Sequence, residues 1–467
     1  MTGSLSKTII YLCTVVLGQL ISFLLLPIIT RTLSPSVYGE YALALTIFNL
    51  VGVFGSSWIR NVSFRLYFDE KFNGSTACFY FNSSIFQFLL VSILIFGIIP
   101  LVQLSPFKFD SSLILLAAGA SIIFNDFFSL TLGLIRAENL TNNFAVTEIA
   151  YGLVRLCVTI VGIFIGYKTP TFLFICTIIS SIVASCLGIY FLKQKLSGGI
   201  KLNKKIMKNI TILGLSSIPL SIGGWVMALS DRMFLKFYSD SYTVGIYSVA
   251  YSLGDRLIGG LVSATFMMAW PNIMDDWNSG GESGATKAIN NSLKLFIWLT
   301  IGPLFFIFFA NEKIILLIAG KEYLSSSEIL PIIALSSWIS GLITYINRPI
   351  ELVKNYKLMS KITILAAATN LIFNILLIPS NGAIGAAIST LIAYFISLIF
   401  FIYNTNRSMI NFPVKHLFGS IFFSYLAVTF IKISTNNIFY CISIFVVIYF
   451  SGIMYFYLNN KFRINTI

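Results

Sequence analysis

Fourteen apolar runs, most of them close to 20 residues long, occupy the greater part of this chain. They fall at roughly 8–30, 38–58, 79–104, 111–134, 144–166, 170–192, 210–235, 243–270, 289–309, 326–347, 358–378, 383–403, 414–432 and 436–458. A helix of about 20 apolar residues spans the hydrocarbon core of a bilayer while satisfying all of its own backbone hydrogen bonds. A barrel strand would instead alternate apolar and polar residues over about 10 positions. The runs do not alternate. Only 10% of the 467 residues are charged, too few to cover a water-soluble surface of this size. The expected fold class is therefore an all-α polytopic membrane protein with about 14 transmembrane helices.

The first run follows Lys7, is too long for the core of a signal peptide and ends without a small-residue cleavage site, so it is expected to remain as the first membrane helix. With the N-terminus placed in the cytoplasm and the connections assigned alternately, most of the 31 lysines and arginines lie on the cytoplasmic side. This follows the positive-inside rule and puts both termini in the cytoplasm. The formal charge of +14 thereby has a topological explanation, and no basic segment interleaved with aromatics calls for nucleic acid.

The connections are short, the longest lying near 193–209, 271–288 and 310–325, which leaves no room for a soluble catalytic domain. No G-x-x-x-x-G-K-[ST] loop is present to cradle a nucleotide, and neither a G-x-S-x-G elbow nor an H-E-x-x-H pair occurs. The reading is of a transporter with no cofactor, not an enzyme. Cys13, Cys78, Cys157, Cys176, Cys186 and Cys441 lie in or beside apolar runs without C-x-x-C spacing and read as small buried side chains, not as metal ligands. His416, the one histidine, reads as an interfacial residue.

"SVYGEYALA" (36–44) and "YTVGIYSVA" (242–250) share Gly39/Gly245, Tyr41/Tyr247 and Ala44/Ala250 at a constant spacing of 206 residues. Each opens a helix at the outer surface, after Ser34-Pro35 in one copy and Ser239-Asp240-Ser241 in the other. The glycines allow close helix approach, and the tyrosines suit the headgroup level. The chain thus divides into a six-helix bundle over 1–193, a basic cytoplasmic linker over 194–208, a second six-helix bundle over 209–405 and two further helices over 406–467. Two pseudo-symmetric bundles imply a central cavity between them and alternating access to it.

Three stretches carry a more specific resemblance: "TRTLSPSVYGEYALA" (Thr30–Ala44), "LSDRMFLKFYSDSYTVGIYSVAYSL" (Leu229–Leu253) and "NILLIPSNGAIGAAIST" (Asn374–Thr390). Together and in this order they resemble the Wzx-type polysaccharide or O-antigen flippases of the multidrug/oligosaccharidyl-lipid/polysaccharide exporter superfamily. The resemblance implies a flippase that moves undecaprenyl-pyrophosphate-linked oligosaccharide units, of O-antigen or a related surface polysaccharide, from the cytoplasmic to the outer leaflet of the plasma (inner) membrane. It implies membrane lipids as surroundings, and a polysaccharide polymerase and chain-length regulator as partners. The competing readings are a cation-coupled multidrug exporter of the same superfamily and a membrane polysaccharide polymerase. The short outer connections argue against the polymerase.

Ionisable residues inside membrane helices are costly and are functional candidates by default. A pyrophosphate headgroup needs a cationic groove, and the planar fork of arginine grips phosphate oxygens two at a time. Arg155 and Arg256 lie within helices, and Arg31 and Arg232 near outer helix ends; these four are the candidate substrate-binding cations. The alternative for Arg155 is a structural ion pair with Asp126 or Glu148. Asp126, Glu148, Asp231 and Asp255 are the candidates for carrying a proton or sodium ion in exchange. Lys193, Lys195, Lys201, Lys204, Lys205 and Lys208 read as a topological and lipid-headgroup feature. Pro27, Pro219 with Gly223-Gly224, and Pro303 mark expected bends in the first, seventh and ninth helices.

Overall fold

A computed structural model describes residues 2–72, 75–105, 107, 109, 111–434 and 438–460, and among them every regular element is helical. The first elements are α1 (Thr2–Thr30), α2 (Pro35–Gly52), α3 (Trp58–Phe72), α4 (Thr76–Leu104), α5 (Ser112–Ala137), α6 (Thr141–Ile165) and α7 (Pro170–Leu192). Then follow α8 (Lys204–Gly214), α9 (Ile218–Leu229), α10 (Asp231–Tyr238), α11 (Ser241–Gly254) and α12 (Gly260–Ile318). The chain closes with α13 (Ser326–Ile346), α14 (Arg348–Leu352), α15 (Tyr356–Asn404), α16 (Val414–Ser434) and α17 (Ile438–Asn460). Eleven helical segments among the described residues are long and apolar enough to cross a membrane, and Tyr440–Met454 is a shorter apolar helix.

Two of those segments each reverse within one apparent helix. In α12, Gly281 adopts φ 59°, and a Cβ on Gly284 would lie 2.3 Å from the carbonyl oxygen of Asp276. In α15, Gly382 adopts φ 51°, and a Cβ on Gly385 would lie 2.3 Å from the carbonyl of Leu377. Residues eight apart in a straight helix are about 12 Å apart, so the chain folds back at both places. Each reversal uses a glycine pair three residues apart, the first for its positive φ and the second for close approach. With these turns, the fourteen apolar runs each occupy one pass of helix. The stretch 271–288, expected as a connection, is instead helical up to and beyond the turn at Gly281.

Contacts divide the chain into two compact units, Met1–Ser248 with Asn370–Ala386, and Val249–Thr369 with Ala387–Ile467. In the first, α5 packs along α7, α6 lies against both α7 and α1, and α2 crosses α5. At one end of this unit Trp58, Tyr67, Phe79, Leu134, Leu192 and Ile210 form a buried cluster where α3, α4, α5, α7 and α8 converge. In the second, α12 carries α13 and α16, and Trp298, Phe445 and Tyr449 anchor α17 to it. Large side chains such as Phe96, Leu104 and Phe164 stand 76–86% exposed, the surface a helix presents to acyl chains.

The repeat read in the sequence recurs as hydrogen bonding. In the first unit the Asn82 amide donates to the carbonyls of Cys78 (2.8 Å) and Lys201 (2.7 Å), and its oxygen accepts from the Asn203 N–H (2.8 Å). In the second, the Asn290 amide donates to Thr286 (2.8 Å) and Met409 (3.3 Å) and accepts from the Asn411 N–H (2.8 Å). All four positions are shifted by the same 208 residues. One asparagine per unit thus straps the segment that follows six passes of helix onto the start of the third pass.

The bends differ from expectation in place. Pro219 does follow a break, a 3₁₀ turn at Leu215–Ser217. Pro27 lies inside an unbroken α1, and the distortion in the ninth pass falls at Ala310, beyond Pro303. The second and eighth passes instead carry π-bulges, at Val53–Ser57 and Asp255–Gly259. Such single wide turns often mark functional positions. Of the cysteines, Cys78, Cys176 and Cys441 are buried, whereas Cys13, Cys157 and Cys186 are exposed, contrary to expectation for those three. His416 accepts a hydrogen bond from the Trp298 indole (3.1 Å), tying α16 to α12.

Candidate functional site

The N-terminal ends of α2 and α11 cross at the repeated glycines. Pro35 begins α2 without a side-chain cap from Ser34, while the Asp240 carboxylate caps α11 by accepting from the Thr243 N–H (2.8 Å). The crossing brings both copies of the tyrosine beside buried charges of the first unit.

Arg155 sits near the middle of α6 and is half-buried. Its Nη2 donates to the Tyr41 hydroxyl at 3.2 Å, and the Tyr41 ring packs on Phe174 with centroids 4.8 Å apart. One turn away on the same face, Tyr151 stacks on Phe128 (4.6 Å) and donates to the Asn125 amide oxygen (3.2 Å). Another turn on, the Glu148 carboxylate faces Gly18 of α1, whose Cβ would lie 3.4 Å from Oε1. The spacing 148, 151, 155 aligns these groups along one helix face. Neither Arg155 nor Glu148 has an ion-pair partner among the described residues. The alternative pairing of Arg155 with Asp126 or Glu148 does not occur. A cation held in an apolar helix by phenol oxygens alone keeps most of its affinity for an anion.

Asp126 is spoken for elsewhere. It accepts from Arg60 of α3 and from Ser56 in the first π-bulge, and Arg60 also reaches the Ser56 hydroxyl (3.0 Å). Asp126 is 5% exposed and the Arg60 side chain 26%. Beside Asp126, a cavity of about 230 Å³ lies between α4 and α5, and Gln87 on its wall has an amide oxygen with no partner. Sequence reasoning missed Arg60, because it follows an apolar run and reads as a loop residue. Its one signal is the Ser56/Arg60 spacing of four.

Asp231 and Arg232 form a third polar cluster in the first unit, fully inside the protein. Asp231 accepts from the Tyr247 hydroxyl and from the Asn374 amide (2.7 Å), and Asn370 accepts from Asn374 (3.1 Å) and Ser230 (3.3 Å). The Asn374 amide oxygen has no partner among the described residues. Arg232 donates to Ser248 (3.0 Å) and to the Ala228 carbonyl (2.9 Å) and is 6% exposed. Tyr41 and Tyr247, the repeated tyrosines, therefore serve opposite charges: one hydroxyl accepts from a guanidinium, the other donates to a carboxylate.

The remaining candidates stand on other elements. Arg31 is exposed just past the end of α1. Asp255 and Arg256 are exposed within the π-bulge of the second unit. Tyr151 and Asn125 were not singled out from the sequence; Tyr41 was read as a headgroup-level ring and Asn374 as part of a motif, neither as the partner of a charge. A polar residue on an apolar helix announces itself only when its charge is formal.

Residues 4–274 match the family described as "Polysaccharide biosynthesis protein". The capsular polysaccharide biosynthesis protein CapF of Staphylococcus aureus is 23% identical over 404 residues, 84% of this chain and 96% of that one. The probable low-salt glycan biosynthesis flippase Agl15 of Haloferax volcanii is 25% identical over 186 residues. That alignment spans only 39% of the length of either chain. Among solved structures, the lipid II flippase MurJ in an inward closed conformation aligns with a TM-score of 0.76 at 17% identity, over 98% of this chain and 100% of that one. An inward-facing multidrug resistance MATE family transporter of the MOP superfamily aligns with a TM-score of 0.57 at 15% identity, over 86% and 94%. At these identities the structural likenesses speak for the fold.

Proposed function

Since the chain belongs to the polysaccharide biosynthesis protein family, we propose that it is a flippase carrying a lipid-linked oligosaccharide from the cytoplasmic to the outer leaflet of the plasma membrane. The observation that carries this reading is Arg155: a half-buried guanidinium in an apolar helix, steadied by Tyr41 and matched by no carboxylate. A pyrophosphate bearing a glycan and a polyprenyl tail supplies the missing anion, and its tail stays in lipid while the headgroup crosses. Arg31, in the same unit, is a further candidate cation for that headgroup, and Arg256 is the candidate cation of the second unit. Agl15 and CapF, by their descriptions a glycan biosynthesis flippase and a capsular polysaccharide biosynthesis protein, support a sugar-bearing substrate.

With no nucleotide loop in the sequence, an ion gradient is the natural drive. Glu148, without a partner, suits a proton. Asp231, which accepts from the Tyr247 hydroxyl and the Asn374 amide nitrogen, is the second acidic candidate for carrying a proton or sodium ion.

Reconstitution in vesicles with a labelled undecaprenyl-pyrophosphate oligosaccharide tests the proposal. Transfer to the far leaflet is expected for the intact protein and its loss for Arg155→Ala at unchanged expression. Ion gradients of either kind are imposed in turn. If Arg155→Ala transports the glycan lipid as well as wild type while the intact protein expels cationic dyes, the multidrug reading takes its place. In cells lacking the gene, single repeat units reaching the outside would mark a polymerase instead.

A further inference from the structure

We infer that the segment from Lys193 to Lys208 is a docking surface for anionic phospholipid headgroups. Lys193, Lys195, Lys201, Lys204, Lys205 and Lys208 are all exposed, and no acidic residue lies between 193 and 209. The backbone beneath them is fixed. Thr76 accepts from the Ser197 N–H (2.8 Å), Ala77 donates to the Ser197 carbonyl (2.9 Å), and Asn82 grips Lys201 and Asn203 from both sides. Asn203 then caps α8 through Lys205 (3.0 Å), and α8 buries Ile206 and Ile210, which leaves Lys204, Lys205 and Lys208 facing outward. Ile200 and Leu202, 66% and 69% exposed, flank Lys201 with bare aliphatic surface.

The second unit supplies an internal control. Its strap has the same asparagine clamp at Met409 and Asn411, yet residues 401–416 hold only Arg407 and Lys415 beside His416. The clamp therefore does not require the lysines. Their occupant follows from their level and their neighbours. α8 is the first part of the apolar segment Lys204–Leu229, long enough to cross a membrane, so the strap that precedes it falls at headgroup depth. Lysines there meet lipid phosphates, while Ile200 and Leu202 meet the upper acyl chains. An acidic protein would leave those two side chains against polar surface.

The test reads lipid retention by the full-length protein, not transport, so it stands or falls separately from the flippase reading. Protein purified in a neutral detergent is titrated with phosphatidylglycerol and with phosphatidylcholine, and bound lipid is counted by native mass spectrometry. Phosphatidylglycerol is expected to bind in preference, less tightly as salt is raised. The K201Q/K204Q/K205Q/K208Q variant is expected to bind it about tenfold or more weakly. The corresponding arginine variant is expected to bind as wild type, which separates lost charge from lost folding. K354Q/K357Q/K361Q, altered at exposed lysines of the second unit, is expected to change little. Equal binding by the glutamine variant, an equal loss in the second-unit variant, or tighter binding of polyglutamate than of phosphatidylglycerol would each overturn the proposal.

Discussion

Gly39 and Gly245 occupy reciprocal positions where α2 and α11 cross. A Cβ on Gly39 would lie 1.8 Å from the Ser241 carbonyl oxygen, and one on Gly245 would lie 1.9 Å from that of Pro35. Ser241 stands to Pro35 as Gly245 stands to Gly39, 206 residues on, so the contact is a near two-fold exchange of one surface with its own copy. No rotamer relieves a clash between Cβ and backbone.

Gly39→Ala and Gly245→Ala should therefore each destabilise the protein by about 1–3 kcal/mol, by forcing the two helix ends apart. Once they are apart, the second methyl costs less. The double variant should lose clearly less than the two single losses combined, as expected for sites that share one displacement. Thermal unfolding of the purified protein in detergent measures this; strict additivity would contradict the shared crossing.

Breaking the Arg60–Asp126 pair from one side strands the other charge. Asp126→Asn and Arg60→Gln should each cost roughly 2–4 kcal/mol, somewhat below a fully buried pair because Arg60 is partly exposed. Combining them should restore part of that loss. A double-mutant cycle on unfolding free energy gives the coupling, and a value near zero would show that the two groups do not depend on each other.

Asn82→Ala removes one donor and one acceptor from the strap, and a bond to Cys78 within its own helix, which should lower stability by about 1–3 kcal/mol. Its local mark is sharper. Trypsin should cut between Lys193 and Lys208 faster in Asn82→Ala than in wild type, while Asn290→Ala leaves that rate unchanged and speeds cleavage near Arg407. Mass spectrometry of the fragments distinguishes the two.

The Tyr67 hydroxyl donates to Glu138 at 2.6 Å at the far end of α3. Burial first, and then the Glu138 carboxylate, hold this phenol well above its ordinary value near 10. A pKa raised by folding gives stability that is complete below about pH 10 and declines as pH climbs beyond it. Tyr67→Phe should remove that component of the alkaline decline and cost about 1–2 kcal/mol at neutral pH. Melting curves from pH 7 to pH 11 in both proteins show whether the gap closes as expected.

The helix count was written in the length of the apolar runs, because hydrocarbon thickness sets that length whatever the tertiary packing. The glycines were legible as places of close helix approach, since two copies of one phrase marked them, but not that the two copies meet each other. What the sequence withheld were partners. Hydropathy says that Asp126 is in a helix and not which way it faces, so Arg60, on a neighbouring pass and outside the apolar run, gave no sign of being its mate. The asparagine clamps were hidden for a different reason. Asn82 and Asn290 are uncharged, and their spacing of 208 differs by two residues from the 206 of the glycines. Only shared hydrogen bonds reveal them as the same device.

Tyr41 and Tyr247 occupy one position of the repeated phrase, and a phenol is amphoteric in hydrogen bonding: its oxygen takes, its proton gives. The same side chain thus serves in both copies although it meets a cation in one and an anion in the other. The difference between the copies requires no exchange of that residue. Substituting phenylalanine at either site would unmask the difference, depriving a cation in one case and an anion in the other.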